Sequence, residues 1–362
     1  VSSAHLTPDP DPADTPELDL SIIIPARNEE QSLPACLASL ISQSEQDFAL
    51  GLQWELILVN DDSIDRTREI AAEAAKHPGI ILLDAPALDP SSRGGLTGKS
   101  NACWAGAQIA KGRNLLFTDA DTVYEPGSLS RALREREKHK VALLSYSPRQ
   151  IVTGLWQHAV MPLIFSELAS VYPPKQVSDP ARRLAAANGQ FLLVEQEVYF
   201  SVGGHRAAGS SVLEDVALAQ NIKRGPRAIR FRYAPDALST HMYRTTSEMI
   251  DGWTKNLALL LPKPITLALW RILDLLLFFG LPLLALGLYW LQPWQRSVIL
   301  LFWLRTLWRF YSRVARSSFP AWDVAISVLG LPLFVYLLVK SVIQHRIRKS
   351  VTWKGRSYDP NV

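Results

Sequence analysis

Apolar positions in the first part of the chain come in short β-rich runs, SIII at Ser21–Ile24, LILV at Leu56–Val59 and LLFT at Leu115–Thr118, each followed by a burst of polar residues. Helical spacing fills the gaps over 29–40, 67–76 and 101–110. Strand and helix in alternation predict an α/β fold built on βαβ units, with a mostly parallel sheet covered on both faces. The last third reads differently. Leu275–Leu291 runs 17 residues without a charge and Val324–Val339 runs 16. Each is a little short of the roughly 20 that cross a bilayer, and each is flanked by Trp or Tyr and by Lys or Arg. The pattern predicts C-terminal membrane helices. Between them, SVILLFWL precedes Arg305, Arg309, Arg313 and Arg316, which share one helical face. That segment reads as a third, imperfect span or as a basic helix on the headgroups, and the second is favoured.

With 362 residues, the chain has room for one large α/β domain and a smaller helical region. It is 48% hydrophobic and 20% charged, with a formal net charge of +4, too slight an excess for a nucleic-acid binder. Cys36 and Cys103 cannot form a disulfide framework or a cysteine-rich zinc site, and both sit in helical, Ala-rich stretches as core residues. Residues 1–19 combine prolines with acids, a composition that predicts a disordered tail, and lack the basic start and apolar stretch of a secretory signal.

In a doubly wound sheet, ligands bind where strands end in loops. Here those ends read ARNEE, NDDSIDRT and DADT. Clustered acids and amides at one sheet edge are costly to bury unless they bind something. Asp119 and Asp121, one residue apart at a strand end, suit a hard divalent ion that bridges phosphates. Gly94, Gly98, Lys99 and Ser100 mimic a P-loop, but three residues separate the glycines where that motif requires four. What remains is a glycine-rich loop whose Lys99 can neutralise a diphosphate.

In this order, SIIIPARNEE, LILVNDDSIDRT, GKSNACWAGAQIAKGRNLLFTDADT, NGQFLLV with VGGH, and LEDVALAQNIKRG resemble a family 2 inverting glycosyltransferase with the GT-A fold, over roughly 20–256. GWTKNL at Gly252–Leu257 and VTWKGRSY at Val351–Tyr358 look like markers of the membrane-anchored subgroup that glycosylates carotenoids, hopanoids or other lipids. The resemblance implies a nucleotide pocket lined by Pro25, Ala26 and Glu29, with Asp61 accepting from a uracil ring. The usual DDGS is NDDS here, so Asn60 replaces an acid and Asp62 a glycine. Lys99 would approach the donor. Asp119 and Asp121 would hold Mg2+ or Mn2+, with Asp121 the more direct ligand. Of the pair Glu214 and Asp215, Asp215 would be the general base, consistent with an inverting displacement that needs one carboxylate on the acceptor side. The alternative for Asp215 is helix capping. Asn188 and Gly189 would attend the acceptor or diphosphate, or form a plain turn. His205 is evenly balanced between a site role and a loop role, and His241 reads as a packing or surface residue. The QxxRW motif of processive members is missing, and Trp253 with Lys255 occupies its place, 38 residues after Asp215 when counted to Trp253. Those two would pack the acceptor and attend the diphosphate.

The resulting expectation has four parts: a tail over 1–19, a GT-A domain over 20–256, a membrane-associated helical region over 257–343, and a basic tail over 344–362. The activity expected is transfer of one sugar from a nucleotide sugar, a UDP-sugar, to a hydroxyl of a lipid-soluble acceptor. A processive polysaccharide synthase and a non-catalytic, membrane-tethered nucleotide-sugar binder are the alternatives. Lys340, Arg346, Arg348, Lys349, Lys354 and Arg356 place the tail on the cytoplasmic side of the plasma membrane. The catalytic domain belongs there too, so the reading has two full crossings, a middle segment at the interface, and Trp353–Tyr358 folded back towards the site.

Overall fold

The computed structural model describes residues 18–88, 96–209, 211, 213–287, 290–345, 351–353 and 356–358. Most of the expected N-terminal tail, Gly94, and Arg346, Arg348, Lys349 and Lys354 lie outside the described residues. The last two positions assigned to the tail, Leu18 and Asp19, already belong to the first strand.

The chain opens with β1 (Leu18–Ala26), α1 (Leu33–Ile41), β2 (Trp54–Asn60), α2 (Thr67–Ala74), β3 (Ile80–Asp84), α3 (Gly98–Ile109) and β4 (Gly112–Phe117). It continues through β5 (Thr122–Tyr124), α4 (Ser128–His139), β6 (Leu143–Ser147), β7 (Arg149–Gln150), α5 (Gly154–Val171) and α6 (Pro174–Val177). Next come β8 (Leu192–Glu195), α7 (Gln196–Ser201), α8 (Gly204–Ala208), α9 (Glu214–Lys223), β9 (Ile229–Tyr233) and β10 (Leu238–Thr240). The chain closes with α10 (Thr246–Leu260), α11 (Pro264–Gly287), α12 (Pro293–Val314), α13 (Ala321–Ile343), β11 (Val351–Trp353) and β12 (Arg356–Tyr358).

Seven strands form the main sheet in the order β3-β2-β1-β4-β8-β6-β9, with β8 antiparallel to both of its neighbours and the other pairs parallel. The run SIII is apolar throughout because β1 lies inside this sheet. Ile22 and Ile24 enter the core on one face, while Ile23 enters the core on the other. A small sheet, β5-β10-β7, is set beside the carboxyl end of β4. Helix α1 starts at Leu33, four residues later than the sequence suggests, because Glu29–Ser32 is spent on the turn that leaves β1.

A third core joins α5 and α10 to the last three helices, through Ile164, Trp253, Phe278, Phe310, Phe334 and Leu338. Gly330 of α13 meets the backbone of Ala159 in α5 so closely that a Cβ would not fit. Helices α11 and α13 are each long and apolar enough to cross a membrane, and 44% of the most apolar stretch of α13 is buried inside the protein against 17% for α11. The Arg305–Arg316 segment belongs to α12, and among the described helices only α11 and α13 are long and apolar enough to span, the two that the sequence pattern expects. Helix α12 folds back along α11, with Trp303 Nε1 donating to the Phe278 carbonyl at 3.0 Å and Phe310 edge-on to Phe278. Charge neutralisation permits this. Arg313 pairs with Asp274 at 3.2 Å, and Arg271 pairs with Glu167 at 3.1 Å and Asp274 at 3.3 Å, two cations set against two acids.

Candidate active site

One cavity of about 1250 Å³ gathers the polar strand ends. Its floor is made by the loops after β1, β2 and β4, its side by the N-terminus of α9, and its far wall by α10 and the C-terminal half of α13. Pro25, Ala26, Glu29, Asp61, Lys99, Asp119, Asp121, Asn188, Gly189, Glu214, Asp215 and Lys255 all line it, so the sequence-predicted residues converge.

The loops after β1 and β2 hold each other at one end of the cavity. Arg27 Nη1 donates to the carbonyls of Asp61 at 2.7 Å and Asp62 at 2.9 Å. Asp62, standing where the resembled motif has glycine, adopts φ 53°, a left-handed conformation that glycine favours and that aspartate tolerates. Asn60 holds its turn in two ways, donating to Asp84 at 2.8 Å and accepting from the Ser63 amide at 3.3 Å. The departures from DDGS therefore leave Asp61 in the pocket.

Deeper in, Lys99 stands between two acids, 2.8 Å from Asp119 and 3.1 Å from Glu214. Burial opposes the charge on Lys99, but these acids outweigh it and hold the ammonium well above its ordinary range. The same partner keeps Glu214 below the usual carboxylate range although burial pushes the other way. Asp215 behaves in the opposite manner. Burial and the neighbouring charge of Glu214 push it up to about 7. Its two oxygens accept from the Gly189 amide at 2.8 Å and the Val216 amide at 2.7 Å. Helix capping is therefore part of what Asp215 does. The Asn188–Gly189 turn has a second task, since it fixes the rotamer of Asp215. A Cβ at Gly189 would lie 2.9 Å from Lys99 Nζ, so a side chain there would push the ammonium aside.

Trp253 is a correction. It is buried in the third core and does not line the cavity: its indole donates to Met161 Sδ at 3.1 Å, and its ring meets Phe165 edge-on. The reason is helical geometry, because Lys255 and Gly252 occupy the pocket face of α10 and turn Trp253 towards α5. His205 lies in the core behind Lys99 and Glu214, where its Nδ1 and the Tyr199 hydroxyl share a hydrogen bond at 2.9 Å and burial lowers its pKa to about 4. Cys36 and Cys103 are free and buried, as expected.

Sequence reasoning missed part of the wall. His241, Arg244, Glu248 and Asp251 follow the short strand β10 and line the cavity. Arg244 ties that wall to the start of α1 by donating to the Gln31 carbonyl at 3.1 Å and Ser32 Oγ at 3.2 Å. The signal was another strand end rich in polar residues, but a three-residue strand is too short to stand out. His241 was read as packing or surface, whereas it faces the cavity. Its Nε2 is buried without a hydrogen-bond partner among the described residues.

Among the described residues no three His, Cys, Asp or Glu side chains stand close enough to cage a metal unaided. Asp119 and Asp121 nevertheless fit a hard divalent ion of the kind held by one or two carboxylates plus phosphate oxygens. Asp119 is engaged by Lys99 at 2.8 Å.

Two acid pairs, one at a strand end and one at a helix N-terminus, thus share one pocket on this mixed sheet. Residues 21–188 match the model of glycosyl transferase family 2, and the protein is a transferase enzyme with the GT-A fold. It is similar to the 4,4'-diaponeurosporenoate glycosyltransferase of Staphylococcus haemolyticus, with 28% identity over 94% of this chain and 88% of that one. The Staphylococcus aureus protein of the same name is 26% identical over the same shares. Among solved structures, the mannosyltransferase PcManGT from Pyrobaculum calidifontis, in complex with GDP-Man and Mn2+, shares the fold with a TM-score of 0.52 and 16% identity, covering 96% of this chain and 91% of that one.

Proposed function

We propose that this enzyme transfers one sugar from a nucleotide-sugar donor, a UDP-sugar, to an oxygen of a lipid-soluble acceptor, with inversion at the sugar carbon. The observation that carries this reading is that Asp215 shares one cavity with the strand-end acids and with Tyr336, Val339 and Ile343 of the apolar helix α13. A carboxylate near pKa 7 takes a proton from an approaching hydroxyl group better than an ordinary aspartate does. Glu214 and Lys99 hold its surroundings, and Asp61 and Glu29 receive the nucleoside. Asp121, with Asp119, would hold Mg2+ or Mn2+, which when bound neutralises the departing diphosphate. The acceptor named for the two staphylococcal relatives is a carotenoid acid, and it supports a polyene or similar lipid here.

The catalytic unit is 20–256, attached to the cytoplasmic face of a membrane through 257–343. The exposed apolar residues of α11 and α12, among them Leu276, Leu283, Trp294 and Leu301, support entry of that hairpin into lipid. In reconstituted vesicles with labelled UDP-sugar and a polyene, Asp215→Asn should bind donor normally and lose roughly 10² to 10⁴ in turnover. Loss of donor affinity in a folded variant would move Asp215 to the donor site and overturn this role.

A further inference from the structure

The exposed face of α13 carries a single line of apolar groups. Trp322, Leu329, Tyr336, Val339 and Ile343 are 69%, 52%, 50%, 37% and 42% exposed, and spacings of seven, seven, three and four residues put them on one face. Ala325 and Pro332 are exposed on the same line, and no charged residue of α13 is among its exposed positions. The opposite face, with Leu331, Phe334 and Leu338, is packed in the third core. At one end the line enters the catalytic cavity, whose wall includes Tyr336, Val339 and Ile343. From Trp322 to Ile343 it runs about 32 Å at the helical rise.

Helix α11 differs. Its exposed apolar residues spread widely round the helix and none reaches the cavity, as expected of a surface that simply meets lipid. The cavity is also larger than the ~300–1,000 Å³ that one small ligand fills, which leaves space for the head of a second molecule beside the donor.

We propose that the exposed stripe of α13 is the acceptor rail: an elongated apolar chain lies along it from Trp322 towards Ile343 and delivers its oxygen end to Asp215. Lys340, 3.9 Å from Asp251 and above the Tyr336 ring at 5.6 Å, marks where the apolar stripe gives way to the polar cavity. This rests on the lipid-acceptor reading and adds to it a binding site outside the catalytic pocket, selective for chain length.

Leu329 is the position to test, since it is exposed and does not line the cavity. The full chain in phosphatidylglycerol vesicles is assayed with a long polyene, supplied as its alcohol and as its acid, and with short analogues bearing the same oxygen ends. Leu329→Gln should raise the KM of the long acceptor roughly tenfold, the weight of about two methylenes of apolar contact. The KM of the short acceptor and the donor affinity should stay at the parent values, and Leu329→Met should restore the long acceptor. An unchanged KM for the long acceptor would mean that the stripe meets only bulk bilayer, and the rail falls while the acceptor reading stands. Equal losses with both acceptors would show a general disturbance and also overturn the rail. If the parent enzyme glycosylates none of these compounds, the acceptor reading itself fails.

Discussion

Asp215 should set the acid limb of the rate profile. With the group raised to about 7 and active as the carboxylate, kcat should fall as pH drops below that point and level off above it. Glu214→Gln removes a negative neighbour that raises Asp215, so the limb should move to lower pH; a limb that stays put or moves up would separate the profile from Asp215. Much at this scale was legible in the sequence, because strand-end acids announce themselves by sitting where an apolar run stops. Trp253 was not, since its role depends on which face of α10 meets α5, and periodicity alone does not say which side of a helix is the pocket. His241 was hidden for a related reason: its strand is three residues long and carries no periodic signal.

Helix α10 shows how an element can be tuned by one missing side chain. Gly252 lies in its interior, where glycine costs about 0.5–1 kcal/mol relative to alanine, yet a Cβ there would collide with the Tyr243 ring. Gly252→Ala should therefore destabilise by roughly 1–2 kcal/mol, a steric cost partly offset by better helix propensity. Thermal melts in the Tyr243 and Tyr243→Ala backgrounds check this, since the penalty should vanish when the ring is removed. The βαβ alternation and the apolar helices could be read from pattern. The order in which β8 and β6 enter the sheet could not, because four-to-five-residue apolar runs look alike whichever neighbour they choose.

At the scale of the whole molecule, the position of the turn before α13 distinguishes two membrane arrangements. Phe319 packs edge-on against Phe165 of α5, within the segment that matches the family model, so this turn stays with the catalytic unit. A cysteine at Ser318 should react with reagents supplied on the cytoplasmic face and be silent to those outside; labelling from outside would mean that α13 crosses the bilayer. Either outcome keeps the even number of crossings inferred from the charge pattern, with α11 paired to α12 in the first case and to α13 in the second. The core that binds α5 has a further meaning for anyone handling the enzyme. Ile164 of α5 and Met249, Trp253 and Leu257 of α10 precede the last three helices yet share a buried core with them. The C-terminal helices are thus not a removable tether. Trimming the gene at the end of the nucleotide-binding fold to obtain a water-soluble fragment would uncover the same greasy face that the trimming was meant to eliminate.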